Sequence, residues 1–324
     1  MTYLTLYWNH ICVLHRQEKA FLEACTAKLA EEGIQLSIRY FGLGYPMHLS
    51  DYLAQPDAVL PDLIVSADME VFEDPRIYSK FSNELYSAGE WAPLRENAAL
   101  SSIEKTKKLL PFVSIPLVYF TSDTAFSGIS QVLEANPRTG ADKSDTTFSF
   151  GGIHNSAGKG IVKSVWSRYG KHAAKALLEQ SLVTDMPIGA FQAVRTGRVQ
   201  TALVPSLYAL RADERSSFLK VPSEGPVLIS SYFCARTSAP VAAAKRAAEL
   251  LLSPEFCEFY AKNGDLIVHP AFTNVHSRQE SDRFFVPDRQ FLDQLNPDEF
   301  YALYTSMLPS AYDPFRRKAS LLHP

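Results

Sequence analysis

His10, Cys12 and His15 form an H-x-C-x-x-H pattern between an extended apolar run, YLTLYWN, and an amphipathic stretch. An imidazole and a thiolate on one short loop, joined by Met47 and His48 in the next strand-to-helix loop, suit a soft or borderline metal ion. The spacing lacks the paired, closely spaced ligands of a structural zinc site. The competing reading is polar loop residues bonded to backbone, plus one small buried thiol. His15 falls at the start of the helix and points elsewhere, so the metal expectation is His10, Cys12 and His48, with Asn9 beside them as a ligand-binding polar group. Cys12 with His10 or His48 would also make a nucleophile pair. No third orienting group and no catalytic signature accompany it, so binding is expected, not catalysis.

A second loop, His154-Asn155-Ser156-Ala157-Gly158-Lys159-Gly160, invites comparison with a phosphate loop and fails it. Five residues separate Gly152 from Gly158, and Gly160 stands where a magnesium-holding Ser or Thr belongs. What survives is a helix N-terminus with free N–H groups, a cap from Asn155 or Ser156, and a lysine one turn on. That arrangement suits an anionic or carbonyl-bearing ligand; plain helix capping is the alternative. Ser66, Ala67 and Asp68 end an apolar run, where free amides could grip a carboxylate, or Asp68 could cap a helix beginning near Val71. Tyr208 is a hydrogen-bond donor or stacking platform, unless it packs on its own lobe.

The elements that must position these groups include one unit that occurs twice. YLTLYWNHICVLHRQEKAFLEACTAKLAEE and TFSFGGIHNSAGKGIVKSVWSRYG each read as strand, polar loop and amphipathic helix. In open α/β sheets ligands collect at the C-terminal ends of strands, so two such ends suggest two lobes facing across a cleft. IQLSIRYFG (strand), MHLSDYLAQ (helix) and LPDLIVSAD (strand) complete a βαβαβ with right-handed crossovers. Residues 72–110 are mixed. PFVSIPLVYFTSD is extended, since Pro111 and Pro116 keep it from a helix, and it is long enough to run from one lobe into another. FSGISQVLEAN, GIVKSVWSRYG, KHAAKALLEQSL and the segment opening at MPIGAFQAVRTG read as helices, with strand FSFGGI among them. VQTALVPSLYALR reads as strand then loop, and 136–147 as surface loop. VLISSYFCAR carries the chain back, followed by two helices broken at Ser253-Pro254 and capped by Gly264. One more helix is expected near DQLNPDEFYALYTSML, before a short basic tail.

Composition excludes several classes. A chain of 324 residues, 46% hydrophobic, can bury a sizeable core, and a net charge of -3 argues against broad phosphate-backbone binding. No stretch reaches the roughly 20 uninterrupted apolar residues of a membrane span. The four cysteines (Cys12, Cys25, Cys234, Cys257) show no CxxC spacing, which fits reduced thiols, with Cys25 and Cys257 as small buried hydrophobes. Trp166 lies in an amphipathic helix and is expected in the core.

The order of elements resembles the substrate-binding proteins of ATP-binding-cassette importers, of the two-lobed type with two crossing strands. PDLIVSADMEVFED, PFVSIPLVYFTSD, TALVPSLYALR, VLISSYFCAR and ELLLSPEFCEFYAKNG carry the resemblance over about residues 3–270, most nearly to members associated with ferric iron and small solutes. It implies an α/β, periplasmic-binding-protein-like fold, each lobe a mostly parallel sheet flanked by helices. The lobes are expected at 1–117 with 229–324, and at 118–228. It also turns the loop around His154 toward the cleft and places Met186, at the helix start Asp185–Gly189, beside the ligand. Iron-binding members carry an adjacent Tyr-Tyr pair after the strand matching VQTALV; here Leu207-Tyr208 keeps only the second, so iron does not carry over. The implied function is hinge-closure capture of a small anionic or metal-containing ligand by a monomer, delivered to an ABC permease, without a cofactor, nucleic acid or membrane insertion. A cytosolic enzyme, sensor or carrier on the same fold is the alternative. The resemblance points outside the inner membrane, whereas the lack of a secretory signal points to the cytoplasm if Met1 is the native start.

Overall fold

The computed structural model of the chain describes residues 1–9, 11, 14–42, 44–92, 106–134, 147–152, 155–263, 266–267 and 284–306. His10, Cys12, His154, Gly264 and most of the 136–147 loop therefore lie outside the described residues. Strand β1 (Thr2–Asn9) pairs in parallel with β2 (Ile34–Phe41) on one side and β3 (Leu63–Ser66) on the other. Helices α1 (His15–Glu31) and α2 (Leu49–Ala54) fill the crossovers, and the one-turn helices α3 (Glu70–Glu73) and α4 (Pro75–Tyr78) follow. This first block is the expected βαβαβ.

Strand β4 (Leu110–Thr121) then leaves it, with α5 (Ile129–Glu134) beyond. A second block follows: β5 (Phe148–Gly151), α6 (Ser156–Tyr169), α7 (Lys171–Gln180), β6 (Ser181–Thr184), α8 (Pro187–Arg195), β7 (Thr201–Pro205) and α9 (Ser206–Ala209). β5 runs parallel to both β6 and β7. Short β8 (Phe218–Lys220) lies on β4, and β9 (Val227–Ala235) returns the chain to β3. Helices α10 (Val241–Leu251) and α11 (Pro254–Lys262) break at Ser253-Pro254 as expected, and β10 (Leu266–Ile267) pairs with β4. The last described elements are α12 (Arg289–Gln294) and α13 (Pro297–Ser306).

The strand order β2-β1-β3-β9-β4-β7-β5-β6 explains the two-lobed plan. Two parallel blocks stand at the ends, and the antiparallel pair β9–β4 joins them. β4 pairs with β9 from Leu110 to Leu117 and with β7 from Leu117 to Thr121, so a single strand belongs to both blocks.

Three apolar clusters form the interior. One packs α1, α10 and α11 on the first block, through Leu22, Cys25, Leu29, Ala244, Phe256 and Tyr260. Another packs α8 and α9 on β4 and β7. The largest is shared: Tyr7, Phe41 and Ile64 of the first block are continuous with Phe148, Ile161 and Leu203 of the second and with Phe300 and Tyr304 of α13.

Four local readings change. Ser181–Thr184 is a strand, not a helix end, because its residues pair along β5. Pro205 is followed by one helical turn, α9, instead of a loop. The C-terminal stretch is two helices, divided where Pro297 takes a helix-opening position. Trp166 is half-buried between α6 and the C-terminal helices, its ring 6.3 Å from both Phe291 and Phe300. Cys25, Cys234 and Cys257 are free, buried thiols.

Candidate functional site

The first turn of α2 draws in two of the expected ligand groups. Leu49 N–H donates to Asn9 Oδ1 at 3.3 Å, and Ser50 N–H donates to Asp68 Oδ2 at 2.9 Å. A helix N-terminus leaves its first amides unbonded, and a carboxylate there also complements the helix dipole. Asn9 and Asp68 are both buried and serve as remote caps of α2, with His48, half-buried, at its N-cap position. Asp68 thus caps α2, not a helix at Val71.

Ser66 is fully buried and its hydroxyl accepts from Asp68 N–H at 2.9 Å, folding the strand end back on itself. That turn exposes the Ala67 carbonyl and the Met69 amide toward the second block, where Ser156 meets them. The Ser156 hydroxyl donates to Ala67 O at 2.9 Å and accepts from Met69 N–H at 2.9 Å. One side chain therefore stitches the third-strand turn to the start of α6.

Asn155 caps α6, accepting from Ala157 N–H at 2.9 Å. The glycines of this loop serve packing. Gly152 has φ +92°, and a Cβ on it would stand 2.1 Å from Asn155 Oδ1. A Cβ on Gly158 would stand 2.5 Å from the Tyr304 hydroxyl and 2.7 Å from the Gly152 carbonyl oxygen.

A buried ionic cluster lies about two turns further along α6, on the same seam. Lys163 Nζ of α6 bonds Glu70 Oε1 at 2.5 Å and Glu73 Oε2 at 2.7 Å, both on α3, and all three side chains are at most 5% exposed. Tyr301 of α13 donates to the other Glu70 oxygen, and the Phe300 ring covers the ammonium at 5.0 Å. Burial opposes ionisation of Glu70, but Lys163 and Lys159 outweigh it and hold the carboxyl at about 2. Glu73 is raised, by burial first and by the Glu70 charge beside it, against the pull of Lys163. Burial would lower Lys163; the two carboxylates raise it instead. One cation shared by two buried acids leaves Glu73 as the member that takes a proton first. These groups line a recess with Leu292, Leu295 and Pro297.

The remaining expected residues are dispersed. Met186 is half-buried at the start of α8, its carbonyl accepting from the Thr184 hydroxyl at 2.8 Å and from Gly189 N–H at 2.9 Å. Tyr208 is 3% exposed, its ring 5.7 Å from that of Phe191 within the second block. Its neighbour Leu207 packs instead on the apolar cluster of the first block. His10 and Cys12 lie outside the described residues, but Ile11 between them donates its N–H to Glu18 at 3.1 Å, and Tyr260 donates to the same buried carboxylate at 2.7 Å. Among the described residues no group of three or more His, Cys, Asp or Glu is placed to hold a metal ion.

Sequence reasoning missed Glu18, Glu70, Glu73, Lys163 and Tyr301. The one available signal was Lys163 itself, set in the run GIVKSV, whose neighbours on both sides are buried.

No protein-family model and no curated protein matches the chain. Solved structures do. The iron-bound HitA of Pseudomonas aeruginosa is 16% identical with a TM-score of 0.66, covering 95% of this chain and 99% of its own. The apo ferric ion-binding protein A of Pasteurella haemolytica is 12% identical with a TM-score of 0.69, covering 95% and 98%. A substrate-binding protein of an ABC transporter from Agrobacterium tumefaciens is 12% identical with a TM-score of 0.57, covering 94% of each chain. The fold is thus that of the two-lobed periplasmic binding proteins, over nearly the whole chain. Among the described residues no helix is long and apolar enough to cross a membrane.

Proposed function

We propose that the chain is a solute-binding protein that captures a small anionic or metal-containing ligand between its two blocks by hinge closure, for delivery to an ABC-type permease. The lobes are 1–117 with 229–324, and 118–228, hinged on β4 and β9. The observation that carries this reading is the meeting of the third-strand turn and the α6 N-terminus at Ser156, in a fold shared end to end with binding proteins. When the seam opens, Met69 N–H, the Ser156 hydroxyl and the positive end of α6 are released together. They favour a ligand oxyanion or carbonyl. The loop carrying His10 and Cys12, anchored by Glu18, and His48 would supply any metal-ligating side chains.

The resemblance in fold to ferric-binding proteins does not extend to paired phenolates, because Leu207 stands beside Tyr208 and packs on the opposite block. A periplasmic location goes with the transport reading. Elemental analysis with native mass spectrometry of freshly purified protein tests it directly. A bound metal or small acid, or calorimetric heat with compaction on adding one, is the expected result. Absence of any co-purified mass, with no heat from metals, oxyanions or small carboxylates, overturns it.

A further inference from the structure

The C-terminal helix α13 touches both sides of the seam. It is fastened to the second block by Phe300 against Trp166 and by the Lys171–Glu299 ion pair at 2.6 Å. The segment ahead of it adds Phe285 N–H to Pro226 O at 2.9 Å and Asp288 N–H to Ser167 Oγ at 2.9 Å. It is fastened to the first block by Tyr301 on Glu70 and by Asp298 on Arg76 at 2.7 Å. Phe300, Leu303 and Tyr304, at helical spacing, are buried in the core that both blocks share.

Opening the seam would part Lys163 from Glu70 and Glu73. With α13 in place, Phe300 still covers the ammonium and Tyr304 still lies against Gly158, so the cation would be left buried and uncompensated. Separation of the blocks and displacement of α13 are therefore one event. We propose that α13 is a latch: it holds the two blocks shut by sealing the Lys163–Glu70–Glu73 cluster, and the cleft opens only when α13 lifts.

This inference rests on the hinge reading above, and one amide tests both separately. Met69 N–H bonds across the seam to Ser156, so its hydrogen exchange, followed by NMR, reports seam opening; Ser156→Ala calibrates the unprotected rate. The fold control is the amide of Phe233 in the fully buried strand β9. The double variant Tyr301→Phe, Asp298→Ala removes the Tyr301–Glu70 and Asp298–Arg76 bonds and keeps the Lys163 bonds to Glu70 and Glu73. The expected result is Met69 exchange about tenfold faster in the variant, with Phe233 unchanged. Equal Met69 rates in variant and wild type overturn the latch. If those equal rates match Ser156→Ala, the hinge survives; if they match Phe233, the blocks do not part and the hinge reading falls with it. Should the double variant fail to fold, Tyr301→Phe alone is read the same way.

Discussion

Replacing Lys163 by methionine keeps the length of the aliphatic stem and removes the cation that bonds both Glu70 and Glu73. Glu70 retains the Tyr301 hydroxyl; Glu73 keeps no bonded donor among the described residues. Breaking a buried ion pair by deleting one partner costs about 3–5 kcal/mol. At about 2 °C per kcal/mol for a chain of this size, the melting temperature falls by about 6–10 °C. The pH dependence has a definite sign. In the wild type the Glu70 carboxyl is held low, so its contribution is present above the usual carboxylate range and lost as pH falls through about 2. Glu73 is raised, so its contribution has the opposite sign, full in acid and lost as pH rises through its folded value. Without Lys163 both carboxyls behave like Glu73, and the deficit narrows on going from about pH 8 to about pH 5. Calorimetry at both pH values measures this. A deficit below about 1 kcal/mol, or one that widens in acid, refutes a shared buried cation as the bond across the seam.

The two acids should also separate. Glu73→Gln is expected to be near neutral at pH 7 while Glu70→Gln costs about 2 kcal/mol, because Glu70 accepts from both Lys163 and Tyr301; urea denaturation of each distinguishes them. Asp68→Ala removes the remote cap of α2 and should cost about 1 kcal/mol, with faster amide exchange confined at first to Ser50 and its neighbours. Gly158→Ala forces a methyl onto Tyr304 and the Gly152 backbone, costing about 1–3 kcal/mol, and Tyr304→Phe should recover part of the loss in thermal unfolding. Burial raises the Cys25 and Cys234 thiols and pushes Cys257 up to about 12, so a thiol reagent at neutral pH should modify at most one of the four cysteines before unfolding.

Much of the plan was legible because it is written in local patterns. The period of the apolar residues marks β1, α1 and β2. Pro111 and Pro116 mark β4 as extended, and Ser253-Pro254 marks the break between α10 and α11. The site was less legible because its bonds join distant residues. Asn9 and Asp68 have the chemistry of ligand groups, yet their oxygens are taken up by an N-terminus 40 and 18 positions away, which no spacing rule reveals. Asn155 and Ser156 both read as caps in sequence; Asn155 does the capping, and the Ser156 hydroxyl instead reaches 89 residues back to Ala67. Glu70 and Tyr301 look like ordinary surface charge and polarity in sequence, and Lys163 stands out only by the apolar run around it. Only the packing of α3, α6 and α13 on one another brings them together out of water.

The shared core has a consequence for how the chain matures. Ribosomal synthesis runs from the N-terminus, so both parallel blocks and the strands joining them emerge before Phe300 and Tyr304 exist. Until then Lys163 has no aromatic cover, and the interior that unites the halves lacks its final members. The halves can form early as separate units; their union waits on α13.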